Sequence, residues 1–152
     1  MGNGLVMRCP KCGFEFSTSE GVGFLFPMVY KETIQKAKNG ELGDELKGFF
    51  EKNPHGAINA ESVTLCCDQC GALSIGKDLT MYIPKDSQDQ DSAENRSYIF
   101  ERELESDYRE VMKYPHKCEK CGGDMHRVKW SEVLKCPDCK VTMEEVTRIL
   151  WD

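Results

Sequence analysis

The sequence lacks the features of a membrane-spanning, exported or phosphate-binding protein. It has no run of about 18 apolar residues, so we expect no membrane-spanning helix. Its first residues show no basic segment followed by an apolar core and a cleavage site, so we expect no secretory signal. Gly21 and Gly23 are not followed by the Gly-Lys-Ser/Thr of a phosphate loop. Because these features are lacking, we expect a cytoplasmic protein.

The sequence also lacks an excess of positive charge. The chain has 20 Lys and Arg against 26 Asp and Glu, a formal net charge of −6 with neutral histidines. Residues 85–107 hold 3 of the basic and 8 of the acidic side chains, so most of the net negative charge lies there. Because nucleic-acid binding draws much of its free energy from counterion release by basic residues, this composition disfavours nucleic acid as a partner.

Cysteine, by contrast, is abundant and regularly spaced. Eight of the nine cysteines form four CxxC pairs: Cys9 and Cys12, Cys67 and Cys70, Cys118 and Cys121, Cys136 and Cys139. Gly13, Gly71 and Gly122 follow three of the pairs, whereas Lys140 follows the fourth. The chain turns sharply after the second cysteine of such a pair, often with a positive φ that glycine adopts without strain. Each pair is therefore typical of a zinc knuckle, a turn that directs two thiolates at one metal ion.

Four knuckles predict two metal sites with four cysteine ligands each. Pairing the knuckles in sequence order places Cys9, Cys12, Cys67 and Cys70 around one ion and Cys118, Cys121, Cys136 and Cys139 around the other. We expect two Zn²⁺ ions, with iron as the alternative metal. A shell of four cysteines leaves no position for water or substrate, so we expect structural metal and no enzyme. In a chain without an export signal, CxxC pairs favour metal ligands in the reducing cytoplasm over disulfides.

Two cysteines need separate consideration. We expect Cys139 to remain a ligand despite Lys140, because the strain of a left-handed lysine is on the order of 1 kcal/mol. A structural zinc ion binds with roughly 10–16 kcal/mol. The ninth cysteine, Cys66, adjoins Cys67. Since neighbouring residues of a strand face opposite sides, we expect Cys66 to point away from the metal, and a thiol redox role for it stays open.

The cysteine spacing and the charge pattern predict a small α+β protein of two β modules. We expect residues 1–84 to form a zinc ribbon with a helical insert, 85–107 an acidic linker and helix start, and 108–152 a second, C-terminal ribbon. The 54 residues between Cys12 and Cys67 are too many for a structureless loop. The insert is therefore expected to fold.

Local patterns predict the individual elements. Pro27 marks a helix start and Asn39-Gly40 its end. A second helix is expected at 41–52, where Leu42, Leu46, Phe49 and Phe50 share one face. Further expectations are strands at 62–66, 72–83, 125–129 and 133–135, a helix at 96–113, and either helix or strand at 141–152.

Two segments suggest partner surfaces. The most apolar segment, 21–30, carries Phe24, Phe26, Met28 and Tyr30, which predict either core or an exposed protein-binding patch. The second predicted ribbon is locally basic and contains Trp130, so nucleic-acid binding through it is an alternative. We expect a protein partner, no membrane, and leave the oligomeric state open.

The knuckles also carry a family resemblance. Cys118-Glu-Lys-Cys121-Gly and Cys136-Pro-Asp-Cys139, together with Cys9-Pro-Lys-Cys12-Gly and Cys67-Asp-Gln-Cys70-Gly, resemble the zinc ribbon and rubredoxin-like superfamily. The whole chain is similar to small uncharacterised bacterial zinc-ribbon proteins. The resemblance implies the ribbon fold and zinc but no function, since ribbons serve many roles. The sequence thus predicts a non-catalytic, zinc-binding binding or adaptor module, with rubredoxin-like electron transfer through iron as an alternative.

Overall fold

The computed structural model describes residues 2–85 and 98–152, which form an α+β protein as predicted. Its described strands are β1 (Gly2–Arg8), β2 (Glu15–Ser17), β3 (Ala57–Ile58), β4 (Ser62–Cys67), β5 (Leu73–Lys77), β6 (Met81–Pro84), β7 (Tyr108–Met112), β8 (Met125–Arg127) and β9 (Glu144–Trp151). Its described helices are α1 (Phe26–Lys38), α2 (Asp44–Lys52) and α3 (Glu101–Asp107). The strands form three small antiparallel sheets, in the orders β2-β1-β9, β3-β6-β7 and β5-β4-β8. Within these described ranges, no helix is both long and apolar enough to span a bilayer.

The chain divides into two compact units, each built from separated segments. The first, here the cysteine unit, contains Met1–Gly23, Ser62–Gly76 and Pro115–Asp152. The second, here the helical unit, contains Phe24–Glu61 and Lys77–Tyr114. This division does not follow the expected boundaries at residues 84 and 107, because β1 pairs with β9 and β4 pairs with β8, and both pairs join residues on opposite sides of these boundaries. Most of the expected acidic linker, residues 86–97, lies outside the described residues.

The cysteine unit contains the longest strand pair among the described residues, which joins the two ends of the chain. β1 and β9 run antiparallel from Gly2 opposite Trp151 to Arg8 opposite Glu144. A Cβ atom on Gly2 would stand 2.3 Å from the indole of Trp151, so only glycine allows this close approach. The segment 141–152, which suited helix or strand by sequence, is a strand because β1 supplies its partner.

The helical unit contains the predicted insert helices around an apolar core. Pro27 lies in the first turn of α1, and α1 ends at Asn39, as expected. The second helix begins at Asp44 rather than residue 41, because Gly43 has a φ of 105°, which is incompatible with a right-handed helix. The buried core residues are Ala37, Leu46, Phe49, Phe50, Ile58, Leu79 and Met81. The expected apolar face of α2 is therefore the face that packs inward.

Three other expectations about elements were wrong. The helix expected at 96–113 is only α3, and the chain then extends as β7 because β6 offers an antiparallel partner. The strand expected at 72–83 is two strands, β5 and β6, separated near Leu79, whose φ is 62°. At 133–135 there is a single bridge, Lys135 opposite Thr142, in place of a strand.

Candidate metal centres

Two clusters of four cysteines lie in the cysteine unit. Site A contains Cys9, Cys12, Cys136 and Cys139, and site B contains Cys67, Cys70, Cys118 and Cys121. Within each site, all four Sγ atoms lie within 4.8 Å of one another. The eight cysteines that sequence reasoning singled out are thus the eight that the fold brings together, in groups of the expected size.

The pairing of the knuckles differs from the expectation. The knuckles combine first with fourth and second with third, so the sites are nested and not sequential. Pairing of β1 with β9 brings the Cys9 knuckle to the Cys136 knuckle, and pairing of β4 with β8 sets Cys67 opposite Met125, close to the Cys118 knuckle. The predicted C-terminal ribbon, in which Cys118 and Cys136 share one site, therefore does not form.

All four knuckles have the same backbone turn. In each, the N–H of the first cysteine donates to the carbonyl five residues later, and the N–H four residues later donates back to its carbonyl, at 2.8–3.1 Å. The residue after the second cysteine has positive φ: 78° at Gly13, 76° at Gly71 and Gly122, and 60° at Lys140. The expected glycine conformation is confirmed, and Lys140 adopts it despite its side chain.

The knuckles also share a pattern of burial. The first cysteine of each, Cys9, Cys67, Cys118 or Cys136, is buried, whereas the second lies nearer the surface. Site A borders an apolar cluster in which Cys9 and Cys136 are buried with Val128, Leu134 and Met143. Site A is therefore continuous with the core of the cysteine unit.

Backbone N–H groups point at several of the sulfur atoms. The N–H groups of Cys70 and Gln69 donate to Cys67 Sγ at 3.3 and 3.4 Å, and that of Gly123 donates to Cys121 Sγ at 3.4 Å. The N–H of Cys139 similarly donates to Cys136 Sγ at 3.5 Å. Such bonds stabilise thiolate, the form of cysteine that binds metal.

The pKa values of the thiols within each cluster are shifted in opposite directions. The hydrogen bond from the Cys70 N–H lowers the pKa of Cys67 to about 6, and the Cys12 N–H lowers that of Cys9 to about 7. Contact with Cys12 raises the pKa of Cys139 to about 12. At Cys121 the Gly123 N–H lowers the pKa, but the neighbouring sulfurs outweigh it and raise the value to about 12. Four close thiolates repel one another, and a bound cation would offset this repulsion and favour full ionisation.

Three S···S distances in the two clusters are close to those of a zinc ion bound by four thiolates. A Zn–S bond of about 2.3 Å implies S···S edges of about 3.8 Å in a tetrahedron. The Sγ atoms of Cys12 and Cys136 are 3.6 Å apart in site A. In site B, Cys67 and Cys121 are 3.4 Å apart, and Cys70 and Cys118 are 3.7 Å apart. Four thiolates in this arrangement suit zinc or iron, so each site could hold one metal ion.

Cys66 and His126 lie near the knuckles but outside both clusters. Cys66 belongs to neither site; it is half-buried against the apolar cluster, and burial raises its pKa. His126 lies between two carboxylates: its Nδ1 is 2.5 Å from Asp68 and its Nε2 is 2.7 Å from Glu132. Burial lowers the pKa of His126, but these hydrogen bonds outweigh burial and raise it. Sequence reasoning missed this contact, because Asp68 and His126 meet only through the β4–β8 pairing.

One further contact connects the two sites. Lys140 follows Cys139 in the fourth knuckle of the chain, which belongs to site A. Its side chain extends to the second knuckle, in site B, where its Nζ donates to the carbonyl oxygen of Cys70 at 2.8 Å. A Cβ atom on Gly71 would stand 3.1 Å from the same Nζ. The sequence shows Lys140 as a departure from the glycine pattern but does not indicate this contact.

Comparisons with known proteins add no relative. No protein-family model matches the chain, and neither a curated protein nor a solved structure matches it.

Proposed function

We propose that this protein is a non-catalytic binding or adaptor module whose cysteine unit is held together by two structural zinc ions. The observation that carries the proposal is the pair of four-cysteine clusters, in each of which all four Sγ atoms lie within 4.8 Å of one another. All eight clustered cysteines would be ligands. By resemblance, the knuckles are of the zinc ribbon and rubredoxin-like type and the protein is bacterial. The reducing cytoplasm would keep the cysteine thiols free of disulfides and available to bind metal.

The zinc ions would act as crosslinks. Each site joins segments far apart in the chain, such as the β1–β2 turn that holds Cys9 and the turn that holds Cys136. With four thiolates the coordination shell is complete, so no position remains for a substrate or an attacking water. The free energy of metal binding then stabilises the fold.

The binding surface would lie at the start of α1 in the helical unit. Phe24, Leu25 and Met28 are 83%, 59% and 59% exposed. Phe26 and Tyr30, from the same apolar segment, are buried. Part of the segment 21–30 is therefore core, and its exposed side chains remain for the binding role that we propose. Three adjacent exposed apolar side chains suit an apolar patch on a protein partner.

Elemental analysis of the purified protein tests the metal assignment. We expect two equivalents of zinc, and about one equivalent or none would contradict it. Cys66→Ser is the matched control, because Cys66 lies outside both clusters; it should keep two equivalents, whereas Cys118→Ser should release the ion of site B.

Capture experiments test the adaptor role separately. Phe24→Ser should abolish retention of the protein partner while leaving zinc content and the thermal melt unchanged, because Phe24 is exposed. Glu51→Ser, at an exposed position on α2, serves as the surface control. Equal retention by the wild-type protein and Phe24→Ser would refute this surface.

Rubredoxin-like electron transfer through iron is the second candidate. Cys12 of site A and Cys121 of site B are exposed, so an electron could reach either metal at the surface. Four thiolates accept iron as well as zinc. Protein purified from its native source under anaerobic conditions should be colourless if the proposal is right, whereas a red ferric tetrathiolate would favour this alternative.

A further inference from the structure

Lys140 occupies a position that its three counterparts fill with glycine. The equivalent residues Gly13, Gly71 and Gly122 have the same left-handed φ, which a lysine adopts only with strain. Its backbone N–H makes the same bond to the first cysteine of its knuckle, here Cys136, at 2.9 Å. The backbone of this turn therefore requires nothing from a side chain, and the reason for a lysine lies elsewhere.

The lysine side chain contacts the other site. Its Nζ donates to the carbonyl oxygen of Cys70, a residue of site B, at 2.8 Å. The acceptor belongs to the knuckle turn that also contains Gly71, whose missing Cβ leaves space for the amino group. A positive charge is thus placed beside a site that would carry two negative charges with zinc bound.

We propose that Lys140 couples the two metal sites, so that filling site A tightens metal binding at site B. The inference rests on the proposed zinc function. Metal at site A would hold Cys136 and Cys139, the two cysteines of the knuckle that ends in Lys140, and would thereby fix the direction of the lysine side chain. Its ammonium group then neutralises charge and satisfies the Cys70 carbonyl at site B.

The coupling is reciprocal. Metal at site B would hold Cys67 and Cys70, and therefore the carbonyl that accepts the hydrogen bond from Lys140. Thermodynamic linkage requires each site to favour filling of the other by the same factor. Because the lysine is exposed, we expect a factor of about 5, the low end of the range typical of coupled sites.

A stepwise metal titration of the full-length apoprotein tests this inference. Co²⁺ is titrated against a competing chelator, and the two successive binding constants are compared in wild type, Lys140→Met and Lys140→Arg. Lys140→Met keeps the backbone strain and the apolar stem but removes the charge, so it should lower the second constant about fivefold relative to the first. Lys140→Arg, which keeps the charge and the donors, should retain most of the wild-type ratio of the second binding constant to the first.

A second variant separates coupling from general damage to the knuckle. Lys140→Gly should relieve the strain and bind at site A at least as tightly as wild type, yet show the same loss of coupling as Lys140→Met. If the ratio of the two constants is the same in wild type, Lys140→Met and Lys140→Gly, the coupling inference is overturned while the metal sites stand. If the wild-type chain binds fewer than two Co²⁺ ions, the proposed metal function itself fails.

Discussion

Cutting the chain between residues 90 and 91 would show directly which knuckles share a metal. Every site in the structure takes one knuckle from each side of the cut: Cys9 with Cys136 in site A, and Cys67 with Cys118 in site B. The order expected from sequence would leave a complete four-cysteine site on each fragment. A recognition sequence for a site-specific protease, inserted between residues 90 and 91, makes the cut possible without changing any described residue.

The magnitude follows from the number of ligands. A complete structural zinc site binds with roughly 10–16 kcal/mol, a dissociation constant of roughly 10⁻⁸–10⁻¹² M. A fragment alone offers two cysteines per knuckle, so about half of this free energy remains, which corresponds to roughly 10⁻⁴–10⁻⁶ M. A chelator whose dissociation constant lies between these two ranges, about 10⁻⁷ M, should therefore strip zinc from either isolated fragment but not from the uncut protein.

The assay uses fragments separated under denaturing, reducing conditions and then returned to buffer with zinc and the chelator. We expect neither fragment alone to retain zinc, and the mixture to recover two equivalents in one complex by native mass spectrometry. The uncut protein carrying the inserted sequence is the control, and it should hold two equivalents. One tightly held zinc on each isolated fragment would refute the nested pairing.

Three further outcomes follow from single side chains. Gly123→Ala should lower the melting temperature and speed zinc loss from site B, because its Cβ would stand 2.9 Å from Gln69 Cβ; overpacking of this kind costs roughly 1–3 kcal/mol, and an unchanged melt would contradict it. Phe26→Ser should lower the free energy of unfolding by roughly 3–5 kcal/mol, whereas Phe24→Ser should leave it nearly unchanged, since the two side chains are 4% and 83% exposed. Chemical denaturation measures both, and equal losses would show that the burial pattern is wrong. Cys66→Ser should lower stability modestly in the same assay without changing the number of free thiols released by chelation.

Features that depend on a few neighbouring residues could be predicted from the sequence. The CxxC spacing predicted the eight clustered cysteines, and the glycine after three of the four pairs predicted the positive φ found at Gly13, Gly71 and Gly122. Pro27 and Asn39 likewise predicted the limits of α1. These features are local because the steric limits on φ and the hydrogen bonds of a turn or a helix end involve residues only a few positions apart.

Features that depend on residues far away in the sequence could not be predicted from it. The helix expected at 96–113 becomes β7 because β6 supplies hydrogen-bond partners that no local pattern reveals. Phe24 and Phe26 lie two residues apart in one apolar segment, yet only the packing around α1 decides that the second is buried. Local propensity is too weak to decide such cases against tertiary contacts.

The sequence by itself determined which eight cysteines form metal-binding turns, because two thiols per knuckle follow from ligand type and spacing. Only the tertiary structure decided which knuckles share a four-cysteine cluster. All four knuckles have nearly the same turn and the same donors, so nothing local distinguishes one partner from another. The choice lies in the antiparallel pairing of β1 with β9 and of β4 with β8, which brings together segments far apart in the sequence.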